Sequence, residues 1–353
     1  MLTKSALFVF CLTIALNSFL AEPVPEALVS NEKSGNQPIV NSPKETVVSD
    51  NSNFLKKALH RFGFGNQPVL GQPGNETKSK SSGSRKQTRG GSDFSYDDTS
   101  YNGPSQWKNF APECGGIRQS PIAIEKKDLV VASVWKTLQW NDFSRLPSAM
   151  ELVNNGHSVQ LSATYFGGRR PTISHGPLVG DYTFEQLHFH WGGDDQHGSE
   201  HVVNGVQYPM ECHLVHWKSE YGSMGEALKH TDGVAVVAFM FDSKEDKDNA
   251  GLAKIISKFS EVGSGSGPAV GVQAFPLTDL IRPFVDNYAT YTGSLTTPPC
   301  TEAVTWIIAS QTQQMSKSQM AKIREVRGPH GPISGNFRPT QPLNGRTVYY
   351  IPY

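Results

Sequence analysis

The sequence lacks an overall charge bias, a long membrane-spanning apolar run and a large number of cysteines. Its 353 residues carry 32 basic and 32 acidic side chains, for a formal net charge of +0. The overall charge therefore gives no reason to expect binding to nucleic acid. The length allows one large domain or two ordinary ones. The four cysteines are Cys11, Cys114, Cys212 and Cys300.

The N-terminal segment, residues 1–21, is typical of a secretory signal peptide. Lys4 precedes an apolar run from Ala6 to Leu16, which is shorter than the roughly 20 residues that a transmembrane helix needs. A hydrophobic membrane anchor is the alternative interpretation. We expect cleavage near Ala21 and a secreted, extracellular protein, an environment in which disulfides persist.

Residues 22–92 differ in composition from the remainder of the chain. They are rich in Ser, Asn, Gly, Pro and Lys, and they are poor in periodic apolar residues. Such a segment buries too little apolar surface to offset its ordering entropy, so we predict a disordered, basic and Ser-rich tail. Within it, residues 78–89 contain no acidic side chain. This basic run predicts a solvated flexible segment, with contact to an anionic surface or proteolysis as the alternatives.

Two short features of this tail suggest contacts or modification. Phe54, Leu55, Ala58, Leu59 and Phe62 fall at helical spacing between basic residues. A short basic amphipathic helix of this kind lies on a membrane or partner, although isolated helices of that length are marginal in water. The tail is therefore a candidate for contact with a membrane, matrix or partner protein. Asn75 begins an N-glycosylation sequon.

Residues 93–353 have the pattern of one globular, mainly β domain. Short β-rich runs, such as residues 234–241 and 303–308, are separated by Gly, Pro and Asp turns. Residues 251–259 have helical spacing, and we find no internal repeat. About 260 residues is long for one domain but acceptable for a β-rich fold.

Three histidines occur at spacings that predict a metal site. His188 and His190 are two residues apart in a β-like run, so on a strand they face the same way. His213 lies in a second β-like run. If the two strands are neighbours, the three imidazoles converge. Three histidines and an open fourth position are typical of a catalytic zinc ion, whereas a structural zinc ion has four protein ligands.

Polar residues stand beside these histidines at the same period of two. Gln186 precedes His188 by two residues, and Glu211 precedes His213 by two. Each therefore shares a strand face with a ligand whose second ring nitrogen it can bind and orient. We interpret five other histidines as ordinary surface or core residues: His175, His197, His201, His216 and His230.

Several separated segments together resemble the signature segments of the α-class carbonic anhydrases. The longest are residues 186–192, 198–201, 211–217 and 294–300, and shorter ones are 103–104, 119–121, 154–157 and 337–339. The resemblance runs from about Phe94 to the C-terminus. It implies one domain with a large, twisted, mostly antiparallel central sheet and peripheral helices. It also implies zinc-dependent, reversible hydration of carbon dioxide to bicarbonate and a proton.

The resemblance further implies roles for the residues that match the family's motifs. Zinc-bound hydroxide attacks carbon dioxide; Thr296 accepts a hydrogen bond from that hydroxide and donates its own proton to Glu200. His157 matches the proton shuttle, a task that suits an exposed histidine. Asn336 joins Gln186 and Glu211 in orienting the ligands.

The same matching assigns the substrate pocket and the proton path. The pocket residues are Val215, Val236, Leu295, Thr296, Thr297 and Trp306, for which ordinary core packing is the alternative. The water chain is held by Tyr96, Asn155 and Gln160. Phe94 and Phe337 stand where relatives often have Trp, which affects packing and not chemistry.

The resemblance also pairs Cys114 with Cys300, because extracellular members of the family carry a disulfide at the matching positions. Cys212 lies between Glu211 and His213, so it faces the opposite side of the strand. We interpret it as a buried free thiol.

Two alternatives to the enzyme remain at this stage. A catalytically silent member would act as a matrix or binding protein, but silent members typically lose a zinc-binding histidine. A bifunctional matrix protein would supply bicarbonate for mineral deposition, but the tail lacks long acidic or Gly-Asn repeats.

Overall fold

The computed structural model describes residues 94–265 and 267–352. The predicted signal segment, the tail at 22–92 and the sequon at Asn75 lie outside these ranges. Among the described residues, no helix combines the length and apolarity that crossing a bilayer requires.

Strands dominate this part of the chain. In chain order they are β1 Ala123–Ile124, β2 Val130–Val131, β3 Gln139–Asn141, β4 Ala149–Asn154, β5 Val159–Thr164, β6 Thr172–Ser174, β7 Asp181–Trp191, β8 Val202–Val203, β9 Met210–Lys218, β10 Val234–Asp242, β11 Val270–Val272, β12 Tyr288–Gly293, β13 Val304–Ala309, β14 Gln313–Gln314, β15 Arg327–Gly328, β16 Gly331–Pro332 and β17 Tyr349–Ile351.

Thirteen of these strands form one large sheet, with the main order β11-β4-β5-β7-β9-β10-β13-β12-β17-β2. Most neighbours are antiparallel, whereas β10 runs parallel to β13 and β14, and β17 runs parallel to β2. Two small sheets, β1 with β8 and β15 with β16, lie outside it. The predicted fold, mainly β with a large and mostly antiparallel sheet, is confirmed.

Helices are few and short. They are α1 Met224–Ala227, α2 Ala250–Ile256 and α3 Lys317–Arg324, with 3-10 turns at Pro104–Asn109, Pro112–Gly115, Lys126–Asp128, Phe166–Gly168, Ser219–Tyr221 and Leu277–Asp279. Each α-helix begins at a polar cap. Ser316 and Gln319 form a capping box on α3, and Asn249 accepts from the backbone of α2. These caps satisfy N–H groups that have no partner within the helix.

The central strand β10 separates two apolar clusters. All nine of its residues are buried, as expected for a strand covered on both faces. Val237 and Phe239 belong to the larger cluster, and Val236 and Ala238 to the smaller one on the opposite face. The alternation decides where the histidines point: His213 pairs with Ala238 and therefore lies on the face of the smaller cluster.

Candidate active site

The three predicted ligands meet at the centre of the sheet. His188 on β7 stands directly opposite His213 on β9 in an antiparallel pair. One ring nitrogen from each of His188, His190 and His213 lies within 4.8 Å of the others. This spacing places three donors around one point, and β7 and β9 are neighbours, which is the condition for the three imidazoles to converge.

Each of these rings has one nitrogen within hydrogen-bond distance of a protein partner. His188 Nδ1 lies 3.0 Å from Gln186 Oε1 and His213 Nε2 lies 2.7 Å from Glu211 Oε1. His190 Nδ1 lies 2.7 Å from the backbone carbonyl of Asn336. The buried Nε2 of His190 has no hydrogen-bond partner among the described residues. A neutral imidazole that donates at one nitrogen keeps a lone pair at the other, so the donor set fits a metal ion.

The surroundings keep these histidines neutral. Burial, followed by the neighbouring imidazole of His213, lowers the pKa of His190 to about 3. Burial and the two other imidazoles hold the pKa of His188 well below its ordinary value. Burial also lowers the pKa of His213, against the opposing charge of Glu211. Neutral imidazole is the form that binds metal.

Glu200 and Thr296 lie beside the ligands. Glu200 is fully buried, and its Oε1 accepts from the backbone N–H of Arg338 at 2.9 Å. Burial and the charge of Glu211 raise the pKa of Glu200, while the Arg338 backbone and the Thr296 hydroxyl oppose them. No partner is well aligned with Oε2 among the described residues. A dication would lower the pKa of this carboxyl.

An apolar cavity of about 70 Å³ opens onto this centre. His188 and His190 line it together with the apolar side chains of Val215 and Leu295 and with Thr297. Val236, Trp306 and Thr296 are not among its lining residues. Val236 and Trp306 belong to the same apolar cluster as Val215, and Val236 lies beside both of them because it is register-paired with each.

Residues predicted for the proton path also line this cavity. Phe94, Tyr96, Asn155 and His157 all line it. Asn155 Oδ1 accepts from the backbone N–H of His157 at 2.9 Å and so shapes the turn that presents the imidazole. The His157 ring stacks on Phe94, with centroids 3.9 Å apart. Gln160 is register-paired with His188 but does not line the cavity.

The cysteines lie as predicted. Cys114 and Cys300 are joined by a disulfide, and Cys212 is a buried free thiol on the face opposite to His213. The bridge is close to the site, because Cys300 N–H donates to the Thr297 carbonyl at 2.8 Å.

Three contributions to the site were missed by sequence reasoning. Met224, at the start of α1, lines the cavity. Arg338 is buried and bonds Gln119, Ser120 and Cys114 through its guanidinium. His201 is hydrogen-bonded to both Glu211 and Tyr291. The family resemblance included Arg338 in the matching segment 337–339 but gave it no role, and no local sequence pattern reveals its contacts.

Comparison with known proteins agrees with this geometry. Residues 102–352 match the family described as eukaryotic-type carbonic anhydrase. The chain is 38% identical to carbonic anhydrase 3 of Mus musculus over 262 residues, covering 70% of this chain and 95% of that protein. It is 36% identical to carbonic anhydrase 6 of Bos taurus over 246 residues, covering 69% and 75% respectively.

Proposed function

The chain belongs to the eukaryotic-type carbonic anhydrase family and carries that family's enzyme domain; from this premise we propose that it is a zinc enzyme. In this proposal His188, His190 and His213 hold the ion, and the protein interconverts carbon dioxide and bicarbonate. The observation that carries the proposal is the set of three neutral imidazoles, of which His190 and His213 are buried and His188 is half-buried, each hydrogen-bonded to a protein partner through one nitrogen. All three ligands are kept, which does not favour a catalytically silent protein.

Thr296 and Glu200 would orient the nucleophile at the metal site. When bound, zinc supplies Lewis acidity, which makes water a nucleophile near neutral pH. Thr296 is 5% exposed and next to Glu200, so its hydroxyl can accept a hydrogen bond from the nucleophile while donating to that carboxylate. Thr296 thereby selects ligands that carry a proton.

The cavity favours a small apolar substrate. Val215, Leu295 and Met224 supply apolar surface next to the ligands, and the volume of about 70 Å³ is small. Carbon dioxide is apolar and needs no hydrogen-bond donor to enter, whereas Thr297 provides a polar group at the side where bicarbonate would rest.

His157 would carry the proton from the site to solvent. His157 is half-buried and lines the same cavity as His188. Water would bridge the gap between His157 and the metal site. Tyr96, Asn155 and Gln160 would hold that water.

We also propose that the protein is secreted. The N-terminal apolar segment and the disulfide between Cys114 and Cys300 support this proposal, because disulfides persist mainly in oxidising compartments. The tail at 22–92 would then be free to contact matrix, membrane or partner. Expression with and without residues 1–21, followed by assay of the medium, tests secretion; retention of the full chain in cells would contradict it.

The enzyme proposal is tested by stopped-flow carbon dioxide hydration together with metal analysis. We expect one zinc ion per chain, loss of hydration with a chelator and its return with zinc. His213→Ala should abolish both metal binding and hydration. His230→Ala is the matched control, since His230 stacks on Tyr221 at the surface. A fully active, zinc-loaded His213→Ala variant would refute the ligand assignment.

A further inference from the structure

A second cavity, of about 620 Å³, lies where helices α2 and α3 end. Ile256, Phe259 and Val326 line it, and all three belong to the larger apolar cluster or pack against it. Ser260 and Ser264 line it as well, and none of these residues lines the cavity at the histidines. A volume of this size with partly apolar walls is typical of a site for a small organic molecule.

The charges of the residues that line this second cavity do not cancel. Lys322 Nζ lies 3.0 and 3.1 Å from the two carboxylate oxygens of Glu325, so these two charges are paired. Arg327 also lines the cavity, and its guanidinium has no hydrogen-bond or ion-pair partner among the described residues. The carbonyls of Ile256 and Lys322, at the helix ends, already accept from the backbone N–H groups of Phe259 and Glu325. The uncompensated charge is therefore positive, which favours an anion.

One amide side chain joins the walls of this cavity to the turn that presents His157. Asn154 Nδ2 donates to the Gly263 carbonyl at 2.9 Å and to the Arg327 carbonyl at 2.8 Å, and both of those residues line the cavity. Asn154 Oδ1 accepts the backbone N–H of Gly156 at 2.9 Å. Because Asn154 is fully buried, the loss of any of these hydrogen bonds would leave a polar group unsatisfied. Movement of either wall is therefore transmitted to the backbone next to His157.

The same turn packs closely on the strand that begins at Arg327. A side chain at Gly328 would bring its first carbon to 2.7 Å from the Gly156 carbonyl oxygen. A side chain at Gly156 would lie 3.3 Å from Pro329. Glycine at both positions permits this approach. The hydrogen bonds of Asn154 are thus reinforced by direct contact between the two segments.

We propose that the second cavity binds a small carboxylate with an apolar body, and that its occupancy regulates proton transfer through His157. The carboxylate would pair with the guanidinium of Arg327, which can donate two parallel hydrogen bonds to it. The apolar body would cover Ile256 and Phe259. The binding itself does not depend on the enzyme activity, whereas the regulatory effect rests on the proposed function.

The first test follows the binding of 3-phenylpropionate to the full-length protein by methyl NMR. The methyl groups of Ile256 and Val326 report on the second cavity, and those of Val215 report on the cavity at the histidines. We expect saturable shifts at Ile256 and Val326 at concentrations that leave Val215 unchanged. The neutral 3-phenylpropanol should bind at least about 10-fold more weakly, because it lacks the charge. Shifts confined to Val215, or no shift at millimolar probe, would overturn the inference.

A pair of charge reversals tests the role of Arg327. Arg327→Glu should weaken the binding of 3-phenylpropionate by about 10- to 100-fold, the loss expected when a hydrogen bond to a charged group is removed. Arg282→Glu is the matched control. Arg282 is also an exposed arginine whose side chain has no partner among residues 94–265 and 267–352, and it lines a different cavity. Wild-type affinity in Arg327→Glu, or the same loss in both variants, would contradict the assignment.

The regulatory effect is read from hydration kinetics in dilute buffer and in concentrated imidazole. Added imidazole replaces the proton transfer that His157 would perform, so the bound probe should lower kcat in dilute buffer and leave it unchanged in concentrated imidazole. Equal kcat in dilute buffer with and without saturating probe, or the same inhibition in both buffers, would overturn the regulatory role. A protein without hydration activity would refute the proposed function, while the methyl shifts would still decide whether the cavity binds the probe.

Discussion

Removing the disulfide should destabilise the domain substantially and reduce its activity. The bridge joins residues 186 positions apart. A cross-link of that span removes about 18 cal/mol/K from the entropy of the unfolded chain by the chain-entropy argument, or about 5 kcal/mol at 25 °C. For a domain with about 2.1 cal/mol/K of unfolding entropy per residue, this corresponds to a fall in Tm of about 9 °C.

Activity should fall as well, because the bridge anchors the segment that presents Thr296. Cys300 N–H donates to the Thr297 carbonyl, and Leu295 N–H donates to the Thr301 carbonyl at 3.0 Å. The other end is held through the Cys114 carbonyl, which accepts from Arg338 at 3.1 Å. Without the bridge, these weaker contacts alone position the hydroxyl, and about a 1 Å displacement can cost on the order of 100-fold in rate.

The assay compares the double variant Cys114→Ser, Cys300→Ser with wild type by denaturant unfolding and by carbon dioxide hydration. Cys212→Ala is the control, because that buried thiol takes no part in the bridge. A loss of stability below about 1 kcal/mol in the double variant would refute the reasoning from loop closure. Unchanged kcat would show that hydrogen bonds alone hold Thr296 in place.

Three further predictions follow from the site. Thr296→Val keeps the shape but loses the hydroxyl, so kcat/KM for hydration should fall by about 100-fold or more, while zinc content measured by atomic absorption stays at wild type. His157→Ala should lower kcat in dilute buffer and recover on addition of imidazole; equal rates at every buffer concentration would show that protons leave another way. Finally, burial lowers the pKa of His190 and of His216 to about 3 from 6.5. The unfolded state then binds more protons than the folded state between those values, so each of these two histidines should contribute a loss of about 2 kcal/mol to the stability of the metal-free protein between pH 7 and pH 5, measured by urea unfolding. The raised pKa of Glu200 contributes in the opposite direction.

The alternation of side chains along each strand was enough to predict which site residues share a face. Gln186, His188 and His190 share one face because side chains alternate along a strand, and the same rule placed Cys212 opposite His213. The convergence of His213 with His188 and His190 depends on β7 and β9 being neighbours. The sequence pattern did not determine that adjacency.

Contacts made across the fold were beyond that reasoning. Asn336 was assigned as an orienting residue by resemblance, but it acts through its backbone carbonyl, which no side-chain pattern can reveal. Met224 reaches the cavity from the start of a four-residue helix, and its spacing carries no signal. His201 was interpreted as an ordinary histidine, since its partners come from β9 and β12, 10 and 90 residues away.

The alternation of β9 makes the site sensitive to chain length as well as to residue identity. Inserting or deleting one residue within the strand, just before Cys212, would exchange the faces of a thiol and an imidazole. The thiol would enter the metal centre, and His213 would be driven into the larger apolar cluster. Insertions and deletions of single residues among relatives should therefore be confined to the turns. Within β7 and β9, the alternation of side chains between the two faces should be preserved.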